Sequence, residues 1–98
     1  MKLEWTAGAK HDLKSIVGYI WADNPKAAQR MSGRFLAMAE LLTNQPYSGR
    51  PGVLPGTREF VVHPNYRMVY RSRGETVSVM AIVHTSRQWP SAEHEGDG

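Results

Sequence analysis

Six side chains in the second half of the chain carry most of its chemical potential: Arg58, Glu59, Arg67, Arg71, His84 and Arg87. Three of the arginines fall within "GTREFVVHPNYRMVYR", Gly56 to Arg71, which reads as two apolar strands folded about Pro64-Asn65. A guanidinium is always charged and presents a planar fork that fits carboxylate or phosphate, so arginines in such a hairpin need water or an anion. Side chains alternate along a strand, which puts Tyr66, Met68 and Tyr70 on one face and Arg67, Val69 and Arg71 on the other. Phe60 and Val62 extend the apolar face; Glu59, Val61 and His63 go with the arginines. Two readings of the arginine face stay open. One is a surface that grips phosphate or carboxylate; the other is a solvated sheet face whose arginines pair with Glu59 and Glu75.

His84 ends an apolar strand, and its ordinary pKa of about 6.5 lies close to working pH. A lone histidine there is equally a packed, hydrogen-bonded side chain. His63 sits beside a turn and is expected to face solvent, His11 and His94 show no ligand spacing with any other residue, and the chain has no cysteine, so no metal site and no cofactor are expected. Trp89 reads as a closure of the core edge, Trp5 and Trp21 as core or dimer contacts, and Tyr66 and Tyr70 as packing residues with hydroxyls at the rim.

The elements that must position these groups follow from periodicity. Lys2 to Trp5 suits a first strand, and Thr6 caps a helix over Ala7 to about Asp23 with Ala9, Leu13, Ile16 or Val17, and Ile20 on its apolar stripe. Asn24-Pro25 is a stop and a restart, because Asn caps well and Pro is preorganised for the first helical position. A second helix carries Ala28, Met31, Phe35, Met38 and Leu42 and ends near Asn44. "PYSGRPGVLPG", Pro46 to Gly56, is loop chemistry. Beyond it the period changes to two, over Thr57 to His63, Tyr66 to Ser72 and Glu75 to His84. The expected fold is α+β, in the order β-α-α-β-β-β, with a helical hairpin packed on one face of a twisted antiparallel sheet.

Bulk properties fit a small single domain. The 98 residues allow one core with a modest stability margin, so a homodimer or a binding partner is a plausible helper. No apolar run approaches a membrane span and the N-terminus has no signal-peptide core, which favours a cytoplasmic protein with no membrane association. The chain carries 12 basic and 9 acidic side chains, and Glu93, Glu95 and Asp97 stand in its last eight residues. The expected domain therefore spans residues 1–90, with 12 basic side chains against 6 acidic, and residues 91–98 are expected to form a disordered acidic tail. Such a surplus favours polyanionic partners, although it serves solubility as well.

Motifs over Leu3 to Pro90 resemble one family. They are "W-T-x-x-A-x-x-D-L" from Trp5, "Y-I-x-x-D-N-P-x-A-A" from Tyr19, "P-x-x-G-R-P-G" from Pro46, "G-T-R-E" from Gly56, "Y-R-M-V-Y-R" from Tyr66, and "V-x-H-x-x-R-x-W-P" ending at Pro90. Each is weak alone, but in this order and at these intervals they resemble the RelE/ParE toxins of bacterial type II toxin-antitoxin modules, closer to the ParE side. The resemblance implies a toxin that inhibits growth when free and is neutralised by a cognate antitoxin, alone or within a heterotetramer.

It also implies two mechanisms. RelE-like members are ribosome-dependent mRNA endonucleases, which need a proton carrier and cations around the developing phosphorane. On that branch Arg67 matches a phosphate-contacting arginine, and His84 or Glu59 is the proton carrier. ParE-like members poison DNA gyrase by binding it, and on that branch Arg58, Arg67, Arg71, Arg87 and Trp89 are the candidates for target or antitoxin contact. All four lysines, Lys2, Lys10, Lys14 and Lys26, lie in the first helical half, away from the place where RelE-like members hold a lysine-rich RNA grip. The ending "HTSRQWP" also lacks a terminal tyrosine, so the departures favour the gyrase branch. A non-toxic nucleic-acid or protein binding module is the further alternative.

Overall fold

Two polar side chains decide where the helices begin. In the computed structural model, which describes residues 1–90, the chain runs β1 (Lys2–Trp5), α1 (Ala7–Asp23), α2 (Pro25–Asn44), β2 (Arg50–Pro51), β3 (Thr57–His63), β4 (Tyr66–Arg73) and β5 (Thr76–His84). The expectation for an acidic tail at 91–98 lies outside the described residues. Thr6 Oγ1 accepts the N–H of Ala9 at 3.1 Å, capping α1, and donates to the Met80 carbonyl at 3.2 Å, which fixes the helix start against β5. Asn24 does two jobs. Its N–H closes α1 on the Ile20 carbonyl at 2.8 Å, and its Oδ1 accepts from Ala27 at 3.1 Å to open α2, with Pro25 at the first helical position.

The α+β architecture is as the periodicity predicts, and the helical hairpin covers one sheet face. The five strands lie in the order β1-β5-β4-β3-β2. The sheet is mixed, however, and not wholly antiparallel: β1 runs parallel to β5, with Lys2 opposite Thr76 and Trp5 opposite Val79. The helical hairpin carries the chain away from β1 before the other strands form, so no short turn dictates the direction of this pairing. A four-residue strand holds no cue to it either. Within the Pro- and Gly-rich loop, Arg50 and Pro51 add a short edge strand against Glu59 and Arg58.

The core lies between the hairpin and the inner sheet face. Ala9, Phe35, Ala39 and Leu42 from the helices meet Met68, Tyr70, Val77, Val79 and Ile82 from the sheet. The Phe35 ring stands edge-on to Tyr66 with centroids 5.9 Å apart. Full burial of Phe35 or Leu42 contributes about 1.5–3 kcal/mol each, so the stability of the sheet depends on α2. A β-bulge between Val61 and His63 brings His63 opposite Tyr66, with ring centroids 6.1 Å apart. Strict alternation groups His63 with the arginines; the extra residue at the bulge moves it beside Tyr66 instead.

Candidate functional site

On the outer sheet face Arg67 does not stand free. Arg67 and Glu59 are both more than nine-tenths buried, and Arg67 Nε lies 2.8 Å from Glu59 Oε1. The contact is an ion pair whose N–H is not aligned as a directed hydrogen bond. Arg67 Nη1 donates to the His84 carbonyl at 3.2 Å and approaches that of Thr85 at 3.5 Å, so one guanidinium ties β3, β4 and the segment after β5 together. Arg50 Nη2 adds a looser contact to Glu59 at 3.8 Å from an exposed side chain. Val69 and Ala81 on the same face are buried as well. Of the two readings left open for the arginine face, pairing with Glu59 is the one formed at Arg67, and the pair is buried where that reading had it solvated, because a guanidinium flanked by buried Val69 and Ala81 is desolvated and requires an anionic partner. Glu59, one strand over, supplies it.

Arg71 shares this face, opposite Thr57 and Ser78, and is half-buried. Its Nε is buried and has no hydrogen-bond partner among the described residues. Glu59 is the acidic side chain of both ion pairs found among the described residues, so the Glu75 partnership expected for the arginines is not formed.

Arg58 lies elsewhere. It pairs across the sheet with Tyr70, on the helix side, where its Nη1 donates to the Gly49 carbonyl at 2.8 Å and its guanidinium lies 5.0 Å from the centre of the exposed Tyr47 ring. Tyr70 completes the arrangement: its hydroxyl donates to the Pro46 carbonyl at 2.8 Å and accepts the Gly49 N–H at 2.9 Å. Burial pushes the Tyr70 phenol above its usual range, against the opposing effects of the Gly49 N–H and the Arg58 charge. Gly49 has no room for a side chain, since a Cβ would stand 2.8 Å from the Glu59 carbonyl and from the Tyr70 ring and hydroxyl. Tyr70 and Arg58 therefore set the path of the loop that presents Tyr47 and Arg50.

His84 also belongs to the helix side. It pairs with Tyr66, its ring edge-on at 5.5 Å, and its Nδ1 accepts the Ser86 N–H at 3.1 Å, with the Ser86 hydroxyl at 2.8 Å. An accepting Nδ1 leaves Nε2 to carry the proton of the neutral ring. The sheet thus separates the His84 ring from the Glu59–Arg67 pair, and the proposed proton carriers do not converge.

Arg87 and Trp89 sit on the segment after β5 and border two depressions. One, about 380 Å³, is floored by Glu59 and Arg67 and rimmed by Arg50, Arg87 and Trp89. The other is an open groove of about 1280 Å³ between α1 and the half of β5 that β1 leaves uncovered, lined by Ile16, Tyr66, Met80, Ile82, His84 and Trp89 among others. Asp12 Oδ2 accepts the N–H of Ile82 at 3.1 Å, so a side chain of α1 takes the place of a neighbouring strand at that edge.

Comparison with known proteins decides the family. The model of the "ParE toxin of type II toxin-antitoxin system, parDE" matches residues 3–89. The chain belongs to the ParE toxin family. This toxin is 36% identical over 90 residues to the Sinorhizobium fredii (strain NBRC 101917 / NGR234) protein named "Putative toxin Y4kP", covering 91% of this chain and 93% of that one. Its fold is similar to that of the "Chromosomal ParDE TA system from P. aeruginosa", with a TM-score of 0.75 at 23% identity over 86% of this chain and 95% of that chain. The "YoeB/ParE toxin from Agrobacterium tumefaciens" is similar in fold too, with a TM-score of 0.62 at 21% identity over 86% and 98% of the two chains.

Three residues of this ParE-family toxin escape reading from the sequence. Asp12 lies off the apolar stripe of α1 and within the "W-T-x-x-A-x-x-D-L" motif, but neither feature names its partner 70 positions away. Tyr47 and Arg50 lie in a stretch that reads as loop, and although the "P-x-x-G-R-P-G" motif contains Arg50, neither it nor the "G-T-R-E" and "Y-R-M-V-Y-R" motifs that mark Arg58, Glu59 and Tyr70 show that these supports hold Tyr47 and Arg50.

Proposed function

We propose that this toxin arrests growth by binding DNA gyrase, and that a cognate antitoxin neutralises it. The observation that supports a binding mode over RNA cleavage is the Glu59–Arg67 pair. Phosphorane stabilisation needs a cation aimed at the reacting phosphate, whereas the Arg67 guanidinium is occupied by a buried carboxylate and two backbone carbonyls. His84, the other candidate of the nuclease set, is turned to the opposite side of the sheet. Membership of the ParE family agrees with this reading.

The antitoxin surface proposed here is the groove between α1 and β5. Its floor is apolar through Ile16, Met80 and Ile82, and Arg87 stands at its wall. An amphipathic segment that folds on binding fills such a groove with its apolar side and meets Arg87 with acidic residues. Charge attraction of this kind speeds association more than it tightens the complex, so the on-rate falls as salt is raised.

Induced expression with paired readouts tests the target. Growth arrest with an SOS response and loss of gyrase supercoiling activity is expected, with transcripts intact. Rapid cleavage of transcripts at ribosomes, unaccompanied by a DNA-damage response, would overturn the gyrase assignment in favour of the nuclease.

A further inference from the structure

The outer side of α2 carries cations that the fold does not use. Lys26, Arg30 and Arg34 follow one another at four-residue intervals, which sets them in a single row along the helix, each about 6 Å of rise beyond the last. All three are exposed. Both ion pairs among the described residues involve Glu59, so none of the three has a carboxylate partner there. Such a row works against the helix that bears it. Like charges four residues apart repel across one turn, and Lys26 stands in the first turn, at the positive end of the helix dipole, where no acidic residue offsets it. Lys10 and Lys14, exposed and four apart, repeat the pattern on α1, and against these five cations the hairpin exposes two carboxylates, Asp23 and Glu40. Helix stability does not account for the row; an anionic partner does.

We propose that the row of Lys26, Arg30 and Arg34 is a docking ridge for the sugar-phosphate backbone of duplex DNA. Charge complementarity selects a polyanion: a DNA duplex presents one negative charge for about every 1.7 Å of its axis, and each cation that meets a phosphate releases counterions. The adjoining row of α2 selects against a protein. It holds Gln29, Gly33 and Ala37, all exposed, and a Cβ at Gly33 would meet nothing within 4 Å, so the ridge stands above a low strip without the aromatic anchors that centre a protein interface. Leu36, the exposed large apolar residue of α2, lies beyond that strip. The aromatic residue of α2, Phe35, is fully buried, which leaves nothing on this face for unpaired bases to stack on. Gln29 is the one neutral hydrogen-bonding side chain in the two rows, too little for the 2′-hydroxyl contacts that hold an RNA duplex. No residue of α2 lines either depression, so the ridge is separate from the antitoxin groove and independent of the target proposed above.

The test follows binding of the purified full chain to a fluorescent DNA duplex of arbitrary sequence, by anisotropy, as salt is raised. The ridge variant Lys26→Gln, Arg30→Gln, Arg34→Gln keeps good helix formers at exposed positions and is expected to bind at least tenfold more weakly at low salt. Its plot of log affinity against log salt is expected to be shallower by about 2–3, since each lost phosphate contact removes about 0.9 from the slope. A second triple variant, Lys2→Gln, Arg50→Gln, Arg73→Gln, removes the same charge from exposed positions on the sheet and is expected to lose less than threefold. Equal losses in the two variants would show a response to net charge alone and overturn the location. No binding by the unaltered chain at low salt overturns the proposal, and ridge-dependent binding that is tighter for an RNA duplex of the same sequence, or for polyglutamate, overturns the choice of DNA. Thermal melts add a readout that a structural role would move the other way. Relieved of like-charge repulsion, the ridge variant is expected to melt at or above the temperature of the unaltered chain; a lower melting temperature would mean that the row serves the fold, and would overturn the proposal.

Discussion

The Tyr70 hydroxyl accepts the Gly49 N–H at 2.9 Å, which pins the loop after α2 to the centre of the sheet. The same hydroxyl donates to Pro46 O at 2.8 Å, and the Tyr70 side chain is fully buried. Tyr70→Phe keeps the ring and removes both bonds, leaving a buried N–H and a carbonyl without a partner. The expected loss is about 1–3 kcal/mol of folding stability, measured as a lower urea midpoint at unchanged slope. A midpoint within error of the unaltered protein would show that water satisfies both groups and that the loop is held by something else.

The pH dependence of that loss has a definite sign. Burial raises the Tyr70 pKa in the folded chain above its usual value of 10.0, so the folded state retains the phenolic proton after the unfolded state has begun to lose it. Where the unfolded state binds fewer protons, stability falls as pH rises. The Tyr70 contribution is therefore complete below the unfolded value and declines once pH passes it. Thermal melts of the unaltered protein and Tyr70→Phe, compared from neutrality to alkaline pH, are expected to converge there. A gap that widens with rising pH would contradict the burial assigned to the hydroxyl.

Much of this fold is legible in the sequence because its signals are local. Thr6 and Asn24-Pro25 mark helix starts through side-chain caps that act within three residues, and the switch from a period near four to a period of two separates helices from strands. The assignment of Met68 and Tyr70 to the helix side holds for the same reason. Signals that depend on distant partners are illegible. The parallel pairing of β1 with β5 joins residues about seventy positions apart, and the bulge at Val62 shifts His63 by one step that no residue type announces. The site divides along the same line. Glu59 and Arg67 are visible as charged residues on one outer face, but whether they pair or stay solvated depends on the burial of Val69 and Ala81 beside them. Separation of Arg58 from Glu59 follows from alternation along β3, whereas that of His84 from the pair follows from cross-strand register, which single-strand alternation does not supply.

Asp12 illustrates a long-range contact with a local readout. Its carboxylate accepts the Ile82 N–H at 3.1 Å on the half of β5 whose outer edge β1 leaves uncovered. Asp12→Ala removes the acceptor and is expected to cost about 1.5–3 kcal/mol, the range for a hydrogen bond to a charged group. Amide exchange at Ile82 should quicken in this variant, while Asp12→Asn, which retains an acceptor oxygen, should restore most of the protection. Unchanged exchange at Ile82 in Asp12→Ala would mean that the edge is protected by the packing of α1 and not by the carboxylate.

The Glu59–Arg67 pair makes a sharper demand, because its two halves are expected to be worth far more together than either is alone. Removing one partner of a buried ion pair strands the other in a desolvated site and costs about 3–5 kcal/mol. Arg67→Met leaves Glu59 with the distant Arg50 contact and frees the carbonyls of His84 and Thr85, so it is expected at the upper end of that range. Glu59→Leu leaves Arg67 its two carbonyl acceptors, so it is expected at the lower end. The double variant replaces both charges by apolar side chains of similar length and should lose much less than the sum of the single losses. Denaturant unfolding of the four proteins measures the coupling directly. Losses that simply add would show that the two side chains do not sense one another, and the buried carboxylate would then have no claim to neutralise Arg67.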